Sequence, residues 1–351
     1  MIDYLIVGLG IAGVSFCERL EQSGKTYKVI SDASQTSSLV AGGLYNPVIL
    51  KRFTMAWNAK EQLDLAIPFY QSLERKLKIK LNYKLPVLRR FASIEEQNMW
   101  FEASDKIGLK DFLATTIQRN QNPKIDAPFG FGEVLHTGRI DTAKLLLSYK
   151  EYLRSKDRFV QETFDYGALK FNVDGLGYKS VSARQIVFAE GYGMKKNPFF
   201  DFLPLTSTKG EYLTVKVPDL NETKAIKSSI FLIPWENDLY RIGATYKWKD
   251  TTNLPTKASR SELLQKLDAL LKCDYEVVDQ LAGIRPTVTD RRPLVGQHPK
   301  NKNMYVLNGF GSRGVMIAPF ASKQLLNLIE KGVAIHPEMD ISRFTKKHFK
   351  N

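Results

Sequence analysis

Three glycines, Gly8, Gly10 and Gly13, stand in the spacing G-x-G-x-x-G directly after the apolar run Tyr4-Leu5-Ile6-Val7. That spacing suits phosphate chemistry. Gly8 permits a tight turn, Gly10 lets the main chain approach a pyrophosphate, and Gly13 lets a helix pack close to a strand. The helix that follows has unpaired N–H groups at its N-terminus, and its dipole favours negative charge there. A carboxylate, Asp32, follows a second apolar run, Tyr27-Lys28-Val29-Ile30. At that place it can accept hydrogen bonds from both hydroxyls of an adenosine ribose. Strand, turn, helix, strand and acid in this register predict a dinucleotide site. The pattern serves NAD and FAD alike, so the choice rests on the remainder of the chain.

Other chemistries find little support. The four histidines, His136, His298, His336 and His348, are isolated and lack metal-ligand spacing. Phe310-Gly311-Ser312-Arg313-Gly314 departs from a G-x-S-x-G nucleophile elbow, with Phe310 where glycine is required. The two cysteines, Cys17 and Cys273, cannot build a disulfide framework, and Cys17 falls on the apolar face of the first helix. This fits a reducing compartment. The first strand begins close to Met1 and leaves no room for a signal peptide, so a cytoplasmic protein is expected. No apolar run is long enough to span a bilayer, and no membrane partner is expected.

The elements that must position these residues follow from pattern. Apolar spacing predicts helices over Val14–Leu20 and Trp57–Leu77, a helix over Glu95–Leu109 started by Ser93, and one capped by Asp141 running to Leu153. Helices over Ser261–Leu271 and from about Ala318 to Lys331 follow later in the chain. Tyr83–Phe91 and Gly130–Thr137 read as strands. Phe159–Phe164 and Leu169–Val173 alternate like the two arms of a hairpin. Gln185–Ala189 and Met304–Leu307 read as buried strands that run into glycine-bearing loops, where α/β sheets keep ligands. Glu211–Val217, Ile230–Ile233 and Tyr240–Thr245 read as successive antiparallel strands. Thr36 to Pro47 is a loop, unusually apolar for a solvated one, which implies that something packs on it.

A chain of 351 residues with 43% hydrophobic and 25% charged residues has globular composition and room for about two or three domains. Strand–helix units alternate with meander segments, which predicts two interleaved, discontinuous domains. The net charge of +14 suits an acidic partner such as RNA or an anionic substrate. It equally suits lysine spread over a solvated surface, since the basic clusters (Lys51-Arg52, Lys195-Lys196, Lys346-Lys347) are short.

Eight marks in order resemble the FAD-dependent family of D-amino-acid oxidase, glycine oxidase and sarcosine oxidase. They are Gly8 to Gly13, Ala41-Gly42-Gly43-Leu44, Ala189-Glu190-Gly191, Phe231-Leu232-Ile233-Pro234, Ile242-Gly243-Ala244-Thr245, Ala282 to Pro286, Asp290 to Gly296, and Gly309 to Gly314. The resemblance covers nearly the whole chain. A closer one is to the FAD half of the bifunctional enzymes that finish 5-aminomethyl uridine derivatives at the tRNA wobble position. It rests on Gly42 to Pro47, Gly243-Ala244-Thr245-Tyr246 and Gly311-Ser312-Arg313-Gly314. The methyltransferase half of those enzymes has no counterpart in this sequence.

The resemblance favours FAD over NAD. It implies an α/β fold with a Rossmann-type FAD-binding domain (1–80, 138–205 and 284–351) and an interleaved antiparallel-sheet substrate domain (81–137 and 206–283). The implied reaction is oxidation of the C–N bond of a carboxylate-bearing amine or amino acid, with hydride passing to flavin N5. Gly8, Gly10, Ile11, Ala12, Gly13 and Asp32 would hold the adenosine diphosphate, and Ala41, Gly42, Gly43 and Leu44 would line the flavin. Phe164 matches the family position whose backbone holds the adenine. Ala189 and Gly191, at the end of the Gln185–Ala189 strand, would also contact the cofactor. Gly309, Gly311, Ser312, Arg313, Gly314 and Val315 would present N–H groups to the N1/C2 carbonyl edge of the flavin. No cysteine lies near Arg285, where covalently flavinylated members carry one, so FAD is expected to be non-covalent.

Arg285 matches the family arginine that grips a carboxylate with a bidentate fork. The competing reading is a surface or interdomain salt bridge. Tyr246 stands where the glycine-oxidase branch has an aliphatic residue; it is a second candidate for the substrate pocket, or a plain strand tyrosine. Phe231 replaces a tyrosine whose hydroxyl helps hold the carboxylate in that branch, which argues against a simple glycine-like substrate. Arg313 either assists an anionic group or braces its loop. The expected partner is a small amine. The alternatives are a carboxymethylaminomethyl group on tRNA, favoured by the net charge and the Gly311–Gly314 loop, and a protein that binds FAD without turnover.

Overall fold

A computed structural model describes residues 1–348; residues 349–351, the end of the expected 284–351 segment, lie outside the described residues. The first sheet has five parallel strands at its heart: Phe159–Val160, Tyr27–Ile30, Ile2–Val7, Val181–Phe188 and Met304–Asn308. Their near-continuous apolar runs fit strands covered on both faces. Leu5, Val29, Ile186, Val187 and Val306 are all fully buried. The helix Ile11–Gln22 follows the first strand, and Gly13 lies so close to the Gly8 carbonyl that any side chain there would strike it. The helix Gly314–Lys331 packs beside it.

The second large sheet runs in the order Glu276–Val288, Leu205–Lys216, Leu239–Gly243, Phe231–Pro234, Ala225–Lys227, Val87–Arg90, Phe131–Val134, Leu113–Gln118. All its pairings are antiparallel except that of Ala225–Lys227 with Val87–Arg90. The strands of the two sheets alternate along the chain, in a mixed α/β fold. Among the described residues no helix is long and apolar enough to cross a membrane.

Several elements depart from expectation. Leu169–Asn172 pairs with Gly175–Tyr178, across the two-residue turn Val173-Asp174, and not with the Phe159 segment. Phe159–Val160 instead runs parallel to Tyr27–Ile30, and the chain after it forms part of a cavity wall. The expected Tyr83–Phe91 strand splits at Leu85-Pro86 into Asn82–Lys84 and Val87–Arg90, which belong to different sheets. The Glu95–Leu109 helix stops at Ser104, though Ser93 does cap it by accepting from the Glu96 N–H. The last long helix starts at Gly314, before Pro319 rather than around it. Pro319 has no N–H to give the Val315 carbonyl. The Tyr70 hydroxyl donates to that oxygen instead, at 2.8 Å, so the helix tolerates its proline.

Candidate active site

A cavity of about 940 Å³ lies between the carboxyl ends of the parallel strands and one face of the second sheet. Its size is at the upper end for ligand pockets. Of the residues singled out from the sequence, all line it except Gly13 and Gly309. Those two stand behind the wall. Gly13 allows the helix–strand approach, and Gly309, at φ 78°, turns the chain against Val288 and Leu294.

Two helix N-termini open on this cavity. The Ile11–Gln22 helix has Gly10 at its cap, no side-chain cap and no acidic residue in its first turn. Among the described residues only the Ile11 N–H of that first turn is taken, by Ser38 Oγ at 3.2 Å. The Gly314–Lys331 helix likewise has no side-chain cap. The two ends are adjacent: a Cβ on Gly314 would sit 3.0 Å from Ile11 Cγ2. First-turn donors left open beside each other make a place for an anion.

Asp32 lies at the end of the Tyr27–Ile30 strand on the cavity wall. It accepts from the Ser34 N–H at 3.0 Å, the Ser34 hydroxyl at 2.6 Å and the Thr163 hydroxyl at 3.0 Å. Burial alone would raise its carboxyl, but the Ser34 and Thr163 hydrogen bonds outweigh it and hold the group below the usual range. Phe164 stacks on Tyr178 with centroids 4.4 Å apart. Neither main-chain polar group of Phe164 has a hydrogen-bond partner among the described residues, and the residue lines the cavity. The uncapped helix ends, the rim carboxylate and this open main chain together fit an adenine dinucleotide.

Ala41, Gly42, Gly43 and Leu44 form the wall between the two sheets. Gly43, at φ 68°, presses on the Ile140 carbonyl, and a Cβ on Gly42 would meet Ile233 of the second sheet at 2.9 Å. Arg241 supports the same segment, with Nη1 3.3 Å from the Ala41 carbonyl. Arg313 donates to the Asn46 carbonyl at 2.7 Å, tying the Gly311–Gly314 loop to this wall. That contact favours the bracing role for Arg313.

The substrate end rests on the face of the second sheet. Cross-strand register puts Lys227, Phe231, Gly243 and Tyr212 in one row, and Gly210 stands two residues from Tyr212. Residues directly opposite, or two apart on one strand, share a face. Arg285 lies on the next strand. Its guanidinium crosses Gly210, stacks on Tyr246 at 4.5 Å and donates to the Thr245 carbonyl at 3.3 Å. Among the described residues no carboxylate lies within 4.0 Å of it, so the salt-bridge reading has no partner there. Tyr246 is 54% exposed, at the mouth.

Sequence reasoning missed Gly210, Lys227, Thr163 and Glu190 as cavity residues. Glu190 was visible only as part of Ala189-Glu190-Gly191. It accepts from the Tyr166 hydroxyl at 2.5 Å and the Asn197 amide at 2.8 Å. Burial pushes its carboxyl up to about 7 against the pull of those bonds.

Known proteins agree with this geometry. The sequence profile of the family described as FAD dependent oxidoreductase (DAO) matches residues 3–328. Glycine oxidase of Bacillus subtilis (strain 168) is 28% identical over 36% of this chain and 35% of its own length. The tRNA 5-methylaminomethyl-2-thiouridine biosynthesis bifunctional protein of Burkholderia mallei (strain SAVP1) is 22% identical over 93% of this chain and 56% of its own length. The chain thus spans only about a third to just over half of the curated relatives it matches. The crystal structure of glycine oxidase from Bacillus cereus ATCC 14579 superimposes with a TM-score of 0.77 at 19% identity, covering 95% of this chain and 96% of that one. The cofactor is therefore FAD, and the chain belongs to the FAD-dependent oxidoreductase family.

Proposed function

We propose that this oxidoreductase acts on the C–N bond of an amine or amino acid that carries a carboxylate. The observation that carries the reading is Arg285, a cation in the cavity wall that no described carboxylate neutralises. Bound in the cavity, FAD would supply the hydride acceptor. The N–H groups left open in the first turn after Gly10 would hold phosphate, and Asp32 would hold the ribose hydroxyls. The N-terminus of the Gly314–Lys331 helix would stabilise negative charge on the reduced flavin. Arg285 fixes the substrate carboxylate with its two terminal nitrogens. Phe231 and Tyr212 cover the sheet face and exclude water from it. With phenylalanine at 231, no hydroxyl from that position shares the carboxylate, so Arg285 carries it. Replacing Arg285 by alanine weakens carboxylate substrates and leaves the flavin bound; unchanged substrate affinity would overturn the role.

A second reading, the carboxymethylaminomethyl group of a tRNA uridine, is favoured by the mouth of the cavity. Tyr246, which lines the cavity, and Trp248 beyond it are 54% and 53% exposed, and Lys249 follows them, while Lys247 pairs with Glu262 at 2.6 Å. Exposed aromatic faces stack unpaired bases, and lysines follow the backbone phosphates. The test is tRNA binding as a function of salt, which should fall linearly on logarithmic axes. No measurable affinity at low salt would remove this reading.

A further inference from the structure

Lys227 is a charged cavity residue that neither the cofactor site nor the Arg285 site uses. It ends the Ala225–Lys227 strand and lines the cavity. Its Nζ donates to the Ser229 carbonyl at 3.2 Å and lies 5.0 Å from the centre of the Phe231 ring. Among the described residues no carboxylate lies within 4.0 Å of it. The neighbouring cations are already matched: Arg89 pairs with Glu96, and Lys247 and Lys266 share Glu262. Burial, then Arg89 and Lys266, pushes the Lys227 ammonium down to about 8. An ammonium held among cations in a part-dry wall has open demand for an anion.

Its position says what kind of anion. Lys227 leans over Phe231 on the next strand, and Arg285 leans from the opposite side over Gly210. The Phe231, Leu239–Gly243 and Leu205–Lys216 strands are adjacent, so two strand spacings separate the charged ends across the sheet. Gly210 is displaced by two residues along its strand from the row that holds Phe231. At ~4.8 Å per strand and ~3.4 Å per residue, the charges stand roughly 12 Å apart. A glycine-sized ligand reaches one of them. An extended ligand reaches both.

We propose that Lys227 is a specificity residue, and that the substrate is an elongated amine bearing, besides the carboxylate held by Arg285, a second anionic group at the Lys227 end of the cavity. This rests on the carboxylate reading of Arg285 given above and narrows the substrate class. The second group is recognised as charge at the end of a flexible stem, so carboxylate and phosphate both suit it.

The test uses the FAD-loaded protein and non-reacting ligands. Flavin difference spectra are titrated with the α,ω-dicarboxylates from succinate to dodecanedioate and with monocarboxylates of equal chain length. The wild type should bind short diacids and monoacids alike, and long diacids about tenfold more tightly than their monoacids, the worth of one charge-assisted hydrogen bond. Lys227→Met should bring the long diacids down to the monoacid level, and Lys227→Arg should keep the advantage. The flavin spectrum reports that each variant is folded. No diacid advantage at any length, with monoacid binding still dependent on Arg285, overturns the Lys227 proposal alone. An advantage that survives Lys227→Met overturns it as well. Monoacid binding that ignores Arg285→Ala overturns the carboxylate reading and this proposal with it.

Discussion

Gly210→Ala tests the substrate site without touching a charged residue. Gly210 sits in the middle of the Leu205–Lys216 strand, opposite Gly283, in a backbone conformation open to alanine. A Cβ built there falls 2.0 Å from Arg285 Nη2. Ordinary contact needs about 3.4 Å, so the guanidinium must withdraw by about 1.4 Å or swing to another rotamer. The obstacle is the far end of a flexible side chain, so the fold should hold; alanine in a strand interior could even gain about 0.5–1 kcal/mol over glycine. The carboxylate grip should suffer. A misplaced charge-assisted fork loses about 1.5–3 kcal/mol, roughly a ten- to hundredfold weaker substrate. The assay is KM and kcat for a carboxylate-bearing amine, with flavin content and melting temperature measured on the same sample. Gly177→Ala, where a Cβ meets nothing within 4 Å, serves as control. If Gly210→Ala binds substrate like the wild type, the seat of Arg285 over Gly210 is not the binding pose, and the argument built on it fails.

Three further outcomes follow from the cofactor end. Asp32→Ala removes the acceptor for the ribose and should weaken FAD by about 1.5–3 kcal/mol in a fluorescence titration of the apoprotein; unchanged affinity would contradict the assignment. Gly13→Ala places a methyl group on the Gly8 carbonyl, a backbone atom that cannot swing away, and should lower the melting temperature by an amount equivalent to about 1–3 kcal/mol. A melting temperature equal to that of the wild type would argue against the close approach. Glu190 has its carboxyl raised from 4.5 to about 7 by burial, so folding favours its neutral form. That contribution is complete below the unfolded value and is lost as pH rises through about 7. Apoprotein stability, compared with Glu190→Gln by urea denaturation, should therefore decline by about 3 kcal/mol between those pH values. A flat difference would mean that Glu190 is solvated.

The cofactor half of the site is legible in the sequence because its signals are local. Gly8, Gly10, Gly13 and Asp32 act through turns and strand ends a few residues away. The cavity follows directly from where those strands stop. The substrate half is set by cross-strand register, which no local pattern carries. Gly210 and Arg285 are far apart in sequence, and only the pairing of Leu205–Lys216 with Glu276–Val288 brings one across the other. That strand also begins earlier than its apolar run suggests, because Lys209 interrupts the pattern. The residue is fully buried and bound to Asp250 at 2.6 Å, a distant partner that makes a charged residue tolerable inside a sheet. The mispaired hairpin has a similar origin. Two alternating runs, Phe159–Phe164 and Leu169–Val173, look complementary, yet the short Val173-Asp174 connection offers Leu169–Asn172 a nearer partner. Pro319 hid four residues of helix, since the hydroxyl that compensates for it comes from Tyr70 on another helix.

The central claim is that this cavity holds FAD and passes to it the hydride of an amine anchored by its carboxylate. It is tested most directly by an anaerobic titration. The visible spectrum of the FAD-loaded protein is followed as amino acids, N-methyl amino acids and hypomodified tRNA are added in turn. The account predicts bleaching of the flavin by a carboxylate-bearing amine, free or carried on the tRNA, and loss of that response in Arg285→Ala. A protein that takes up no FAD, or a bound flavin that none of these amines reduces, would contradict it.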